Sequence, residues 1–239
     1  MNNPSAGDSH EKPKDFKELQ KVLFIDGIHY SFLMTRLAYS RLCSDLLALS
    51  QNDYLRRKEG RETLSKQDSF SHKISAISNS WQVIDSVNRL RELLRKTPDL
   101  KQNAKELQLF FRQTIDVEHL RDNVQHLNEQ IVEYVQKKIL AWGTLNWVAK
   151  LDETEKLLFS LMPGSLFERE TPLLNPCGRK ITVPIGLVTL CVDKEICLSE
   201  LVETQLSNIV DWLQPVLKTA ITGIAQSALA SLEYTPKKG

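Results

Sequence analysis

The apolar positions of this chain keep two rhythms, and the change between them falls near residue 139. Starting at Asp15, the residues Phe16, Leu19, Leu23, Ile28, Phe32, Leu37 and Leu42 recur close to every 3.6 positions, which predicts an amphipathic helix through Leu49. Gly27, set among apolar neighbours, is a candidate bend. Residues 51–68, QNDYLRRKEGRETLSKQD, are polar and include Gly60, so a connecting loop or frayed helix end is expected there. Over 70–96 a second helix is expected: Phe70, Ile74, Ile77, Trp81, Ile84, Val87 and Leu94 step by three and four as far as Thr97-Pro98. A third helical region is expected over 103–138, interrupted near Asp116, with Leu120, Val124, Leu127, Ile131, Tyr134 and Val135 sharing one apolar seam.

From Ile139 to Ile196 β-branched and aromatic residues cluster between Gly and Pro. The segments LAWGTLNWV, KLLFSLM, RKITVPI and GLVTLCV, the last turning through Asp193-Lys194-Glu195 into ICL, predict four or five short strands of a small antiparallel sheet, with Trp142 and Trp147 in its core. Ser199 is expected to cap a C-terminal helix that has Glu200 and Glu203 in its first turn and runs to about Leu232, divided in two by Pro215. Residues 1–14, with Pro4, Gly7 and Pro13, offer nothing to bury and read as a disordered tail. The expected fold class is therefore α+β, predominantly α. It is a bundle of four to five helices with a small antiparallel sheet inserted at about 139–198, before the C-terminal helix, and residues 15–239 form one domain.

Composition narrows the partners. A chain with 41% hydrophobic and 26% charged residues has the mix of a soluble globular protein. Its formal charge of +1 gives no global field toward nucleic acid or anionic lipid, so a polyanion must be met by a local patch. The densest basic cluster, Arg56, Arg57, Lys58, Arg61 and Lys66, is interleaved with acids, the pattern of a solvated face or, alternatively, of a phosphate-backbone contact. No run reaches the roughly 18 apolar residues of a membrane helix and the N-terminus lacks a signal-peptide core, so a cytoplasmic location and no membrane partner are expected. Cys43, Cys177, Cys191 and Cys197 form no C-x-x-C pair and are expected to be reduced, packed thiols, with Cys191 and Cys197 facing each other across a turn. No phosphate-binding loop, dinucleotide fingerprint or nucleophile elbow is present, and no cofactor is expected. His29 and His72 are expected to be structural.

One polar stripe stands out. On a helical wheel His119, Asp122, Asn123, His126, Gln130 and Glu133 fall within an arc of about 100° beside the seam. The stripe holds no Lys or Arg, whereas a solvating face more often mixes Lys with Glu. Three readings compete. The stripe is a hydrated interhelical face; or His119, Asn123 and His126, with Asp122 four residues before His126, contribute to a metal site completed from elsewhere; or it serves nucleic-acid cleavage.

The third reading rests on a likeness. Arg121-Asp122-Asn123-Val124-Gln125-His126 resembles the signature of the HEPN superfamily of helical bundles, many of whose members are metal-independent endoribonucleases. Arg112 and His119 also fit the spacing, but Asp122 directly after Arg121 is the kind of polar residue the family prefers there. The continuing LNEQI resembles a His-x-Asp-Glu-Arg-Ile pattern of bacterial helical proteins. The likeness spans a dozen residues, residues 139–198 lie outside a minimal HEPN domain, and the Tyr that follows the His in one toxin branch is replaced by Asn128. It implies a prokaryotic defence or stress protein, either a ribonuclease or an RNA- or nucleotide-binding relative, with RNA as partner, no metal, and a homodimer across which catalytic pairs meet. Arg121 and His126 would be catalytic, supported by His119, Asp122, Asn123, Gln130 and Glu133. These residue types suit RNA cleavage, since an imidazole moves protons near neutral pH and a guanidinium grips a phosphate in two-pronged fashion. The alternative, from a different class, is a non-catalytic interaction protein whose helical seam and sheet edge dock a protein partner.

Overall fold

Two long antiparallel helices carry the architecture. The computed structural model describes residues 16–152, 155–164 and 181–224, the side chains of 216–224 excepted. Helix α1 (Phe16–Glu59) is about 66 Å long at 1.5 Å per residue, and α2 (Lys66–Lys96) returns along it. The polar stretch after Leu49 is thus mostly helix, not loop. Gly60, at φ +65°, ends α1 in the left-handed conformation that glycine adopts without a side-chain clash. The turn that follows is held from within, because Asn52 Oδ1 accepts from the backbone N–H of Thr63 and of Leu64, each at 2.8 Å. Ser65 then caps α2 by accepting from Asp68 N. Gly27 makes no break in α1. A Cβ there would stand 3.0 Å from Leu93 Cδ1, so glycine allows close approach of the two helices instead.

After α2 ends at Thr97-Pro98, as the spacing predicts, three short helices follow: α3 (Lys105–Gln113), α4 (Ile115–Gln125) and α5 (Leu127–Lys137). The expected interruption near Asp116 falls at Thr114, and a second break, unforeseen in the sequence, falls at His126. Arg91 accounts for the first. This fully buried guanidinium donates to Phe111 O at 2.8 Å, to Thr114 Oγ1 and to Glu118 Oε2 at 2.7 Å. It thereby caps the carbonyl end of α3 and pairs with an acid in the first turn of α4, both favourable to the helix dipoles. Arg95 adds hydrogen bonds of 3.0 and 2.7 Å to the same carboxylate.

The sheet packs on the second half of α1. Strands β1 (Thr144–Lys150), β2 (Lys156–Leu161), β3 (Ile185–Cys191) and β4 (Glu195–Cys197) form an antiparallel sheet in the order β2-β1-β3-β4. Trp147 stacks on Phe159 with ring centroids 5.4 Å apart and donates from its indole nitrogen to Ser50 Oγ on α1 at 2.8 Å. Gly143 leads into β1 at φ +72°, where a Cβ would meet Cys191 O at 2.7 Å. Beyond the sheet come the short helix α6 (Leu198–Glu200), a π-helical stretch (Leu201–Gln205) and α7 (Leu206–Ile224). One buried cluster runs through both parts, from Leu42 and Leu46 of α1 and Leu90 and Leu94 of α2 to Leu145, Leu190, Leu206 and Leu213. The fold is thus predominantly helical with a small antiparallel sheet ahead of the last long helix.

Several expectations need correction. The described residues 181–184 of RKITVPI form no strand; Pro184 has no N–H for a ladder, and only its carbonyl is used, accepting from Lys150 N. Trp142 is half exposed and lies edge-on to Trp81 instead of entering the core. Ile131 and Val135 are exposed, since the break at His126 takes α5 out of phase with the seam on α4, while Leu120 and Tyr134 are buried. Ser199 sits inside α6 and caps nothing, and α7 runs unbroken through Pro215. Cys191 lies opposite Glu195 and Cys197 opposite Thr189, so the two cysteines do not face each other across the turn. The expected tail, Cys177 and the helix end near Leu232 lie outside the described residues.

Candidate functional site

The structure divides the candidate residues, Arg121 and the polar stripe, among three places. Arg121 leaves α4 toward α2, its Nε 3.6 Å from Asp85 Oδ1 and buried without a hydrogen-bond partner. His126 occupies the break between α4 and α5; its backbone N–H donates to Asp122 O, its ring is more than half exposed, and Nδ1 lies 3.4 Å from Glu129 Oε1. Five residues of ideal helix separate two side chains by about 140°, and the two groups have different partners within the chain. Asn123 donates to Asp193 Oδ2 at 3.0 Å and accepts from Gln130 Nε2 at 3.2 Å, tying the β3–β4 turn to α4 and α5 across the break. Glu133 is ion-paired to Lys137, and His119 and Asp122 are both exposed at the surface. Asn123 and Gln130 therefore serve a bridge between elements. Among the described residues, no group of three or more His, Cys, Asp or Glu is placed to hold a metal ion.

Among the sequence candidates, Arg121 lines a concavity. A groove of about 460 Å³ runs between α1 and α2 with Arg121 at its edge. Tyr30 and Met34 of α1, both exposed, and Leu93 of α2 give it an apolar wall. Ser31 and Asn88, both more than nine-tenths buried, also line it, and Asn88 Oδ1, itself buried, has no hydrogen-bond partner among the described residues. Arg89, also lining the groove, donates from Nε to Asp85 Oδ2 at 2.9 Å. Asp85 is thus shared by two guanidiniums. The remaining acid, Glu92, is engaged by Arg95 at 2.7 Å and Lys96 at 3.7 Å. The groove carries a surplus positive charge, and no Nη atom of Arg89 or Arg121 donates a hydrogen bond to a described residue. Such a pair can hold an oxyanion.

Comparison with protein-family models, curated proteins and solved structures finds no match to this chain. What the site does follows from its own geometry. Arg89, Asp85, Asn88 and Tyr30 were not among the sequence candidates. A signal for Asn88 existed, since it stands four residues after Ile84 on the apolar phase of α2, where a polar side chain needs a reason.

A second cavity, of about 420 Å³, lies beside α6 and the π-helical stretch and is lined by Ser199 and Glu203. Behind it Tyr39 Oη lies 2.9 Å from Ser199 Oγ and 3.0 Å from Glu203 Oε1, and Ser199 Oγ accepts from Val188 N at 2.9 Å. Burial drives the Tyr39 phenol well above its usual range and lifts the neighbouring Cys43 thiol to about 11. Both stay protonated at neutral pH, so this cluster lacks an ionised nucleophile and works as a clamp between α1 and the sheet. No helix among the described residues is long and apolar enough to cross a membrane.

Proposed function

We propose that this chain is a HEPN-like RNA- or nucleotide-binding protein whose phosphate contact is Arg121, assisted by Arg89. The observation that carries the reading is the sharing of Asp85 by these two arginines at the edge of the groove, which leaves uncompensated positive charge and open donors beside a concave surface. Arg121 is also the arginine of the HEPN-like motif. His126 has a different partner in the same chain, so metal-free cleavage requires a second copy to bring its imidazole to the phosphate held by Arg121. The test is a binding and cleavage assay on end-labelled single-stranded RNA with a chelator present. Binding is expected to weaken in Arg121→Met and to persist in His126→Ala, and any cleavage is expected to vanish in His126→Ala. Equal RNA binding by the protein and Arg121→Met would sink the reading.

One observation favours a second reading, a protein-interaction module. Phe16, Leu23, Tyr30 and Leu37 are all exposed on α1 and spaced by sevens, the interval at which one helix meets another in a coiled coil. A second copy of the chain is the partner this reading assigns to the face. Light scattering would detect it: a dimeric mass that falls to the monomer in Leu23→Glu supports the face, and a monomeric mass for the unaltered chain removes it.

A further inference from the structure

We infer that two copies of this chain pair through the exposed face of α1 in antiparallel fashion, about a two-fold axis level with Ile28. This rests on the reading that a second copy covers that face, and it fixes the direction and register of the contact.

The N-terminal half of α1 is apolar on two opposite sides. Ile25, Ile28 and Leu42 are buried against the rest of the chain, while on the other side eight large apolar residues from Phe16 to Leu37 are 41% to 78% exposed. At about 100° per residue these eight share one arc of about 120°. A helix that is apolar all round is one that is buried all round. Eight large side chains, each roughly half exposed, leave on the order of 600–800 Å² of apolar surface, more than the ~300–600 Å² of the largest patch on a typical monomer and near the ~800 Å² each partner gives to a stable interface.

The spacing of the face identifies the partner. Leu19 and Leu37 stand nine residues before and after Ile28, Val22 and Met34 six, Leu23 and Leu33 five, and Asp26 and Tyr30 two. A two-fold axis at that level reverses the helix onto itself. Leu19 then faces the partner's Leu37, Val22 and Leu23 meet the partner's Leu33 and the partner's Met34, and Asp26 faces the partner's Tyr30. Each contact occurs twice, as an isologous interface requires.

Asp26 decides the direction, because it is the one charged residue in the arc. Parallel pairing sets it against its own copy, two carboxylates in an apolar seam, which is costly. Antiparallel pairing gives it a phenol O–H that donates to the carboxylate. Within the chain Asp26 Oδ1 has neither accessible surface nor a hydrogen-bond partner, and Oδ2 forms no hydrogen bond or ion pair among the described residues, so Oδ2 is the oxygen that receives the phenol. Tyr30 and Met34 also wall the groove beside Arg121, and the partner's helix thereby completes the α1 side of that groove.

The test is light scattering of the full chain over a concentration series, with Leu19→Glu and Leu37→Lys measured alone and mixed. Both positions are about half exposed, so neither substitution enters the core. Each variant alone is expected to raise the dimer dissociation constant at least tenfold, by setting a charge against leucine. An equimolar mixture is expected to return to within about threefold of the unaltered chain, since one end then pairs opposite charges and the other pairs leucine with leucine. Tyr30→Phe is expected to weaken the dimer about tenfold, because two hydrogen bonds to a carboxylate are lost. A dimer that both single variants weaken and the mixture does not rescue overturns the antiparallel register and leaves the face as the interface. A monomeric unaltered chain, or a dimer indifferent to both single variants, overturns the face as well. An unchanged constant in Tyr30→Phe overturns the contact between Asp26 and the partner's Tyr30.

Discussion

Helix α2 presents the same ionic arrangement twice, to opposite effect. At one place Arg91 and Arg95 converge on Glu118; at the other Arg89 and Arg121 converge on Asp85. The first is built on a buried member: Arg91 has no exposed surface, uses its Nη atoms on Glu118, Thr114 and a helix-end carbonyl, and leaves only Nε without a partner among the described residues, while Glu118 and Arg95 are each about one-third exposed. The second lies beside a groove, with no Nη donor of Arg89 or Arg121 given to a described residue. Two arginines around one acid are therefore neither structural nor functional by composition. Burial and the number of donors consumed decide, because a buried guanidinium must be satisfied inside the protein and a rim guanidinium can be satisfied by a ligand.

The largest expected effect breaks the first cluster. Arg91→Ala opens a void, uncaps α3 and leaves Glu118 to Arg95 alone, and is expected to cost about 2–5 kcal/mol in denaturant unfolding. That is a large share of the roughly 5–15 kcal/mol that stabilises a typical domain. Retention of the wild-type midpoint would show that the clamp is ornamental. The next effect is one of pH. Hydrogen bonds from Arg95 hold the Glu118 carboxyl down from 4.5 to about 2, burial opposes them, and Arg91 adds to the lowering. A depressed carboxyl contributes stability that is present above its ordinary value and is lost as the pH falls from about 4.5 toward 2. Glu118→Gln is accordingly expected to flatten the acid limb of a stability-against-pH curve. An unchanged limb in that variant would move the acid sensitivity elsewhere.

The same contrast explains what could be seen in the sequence. Apolar spacing alone places the two long helices and the end of the second at Thr97-Pro98, because Ile84, Val87 and Leu94 obey the helical period, but it misses the polar last turns of α1 after Leu49. Four strands emerge from alternation and turn residues, but the described residues 181–184 of RKITVPI form no strand, since proline cannot supply the ladder donor that β-branched neighbours suggest. Arg91 sits four residues after Val87, on the buried phase, yet nothing local reveals that its partners are Phe111, Thr114 and Glu118. For the same reason the helix break at Thr114 is only roughly placed and that at His126 is not foreseen. The candidate stripe drew its unity from an unbroken wheel. Once α4 and α5 are separate helices, Arg121, His126 and the Asn123–Gln130 bridge go three ways, and the residues that share a concavity with Arg121 come from α1 and α2.

The second cluster is tested by smaller and opposite changes. Arg121→Met removes one open guanidinium, and loss of a charge-assisted hydrogen bond of about 1.5–3 kcal/mol is expected to weaken single-stranded RNA binding by roughly 10- to 150-fold. The slope of log affinity against log salt concentration should drop by about 0.7, the value for one phosphate contact on a single strand. Arg121→Lys keeps the charge but not the fork, so it should restore the salt slope and recover only part of the affinity. Stability should scarcely respond. Arg121 and Asp85 are each about one-third exposed and 3.6 Å apart, so their ion pair belongs to the class that contributes about 0–1 kcal/mol. An unfolding midpoint for Arg121→Met that falls as far as that of Arg91→Ala would mean that the rim arginine is a second clamp and that the groove is not held open for a ligand. A variant that folds normally and loses its salt-dependent grip on RNA would separate the two clusters by function, although both are built from the same residue types on the same helix pair.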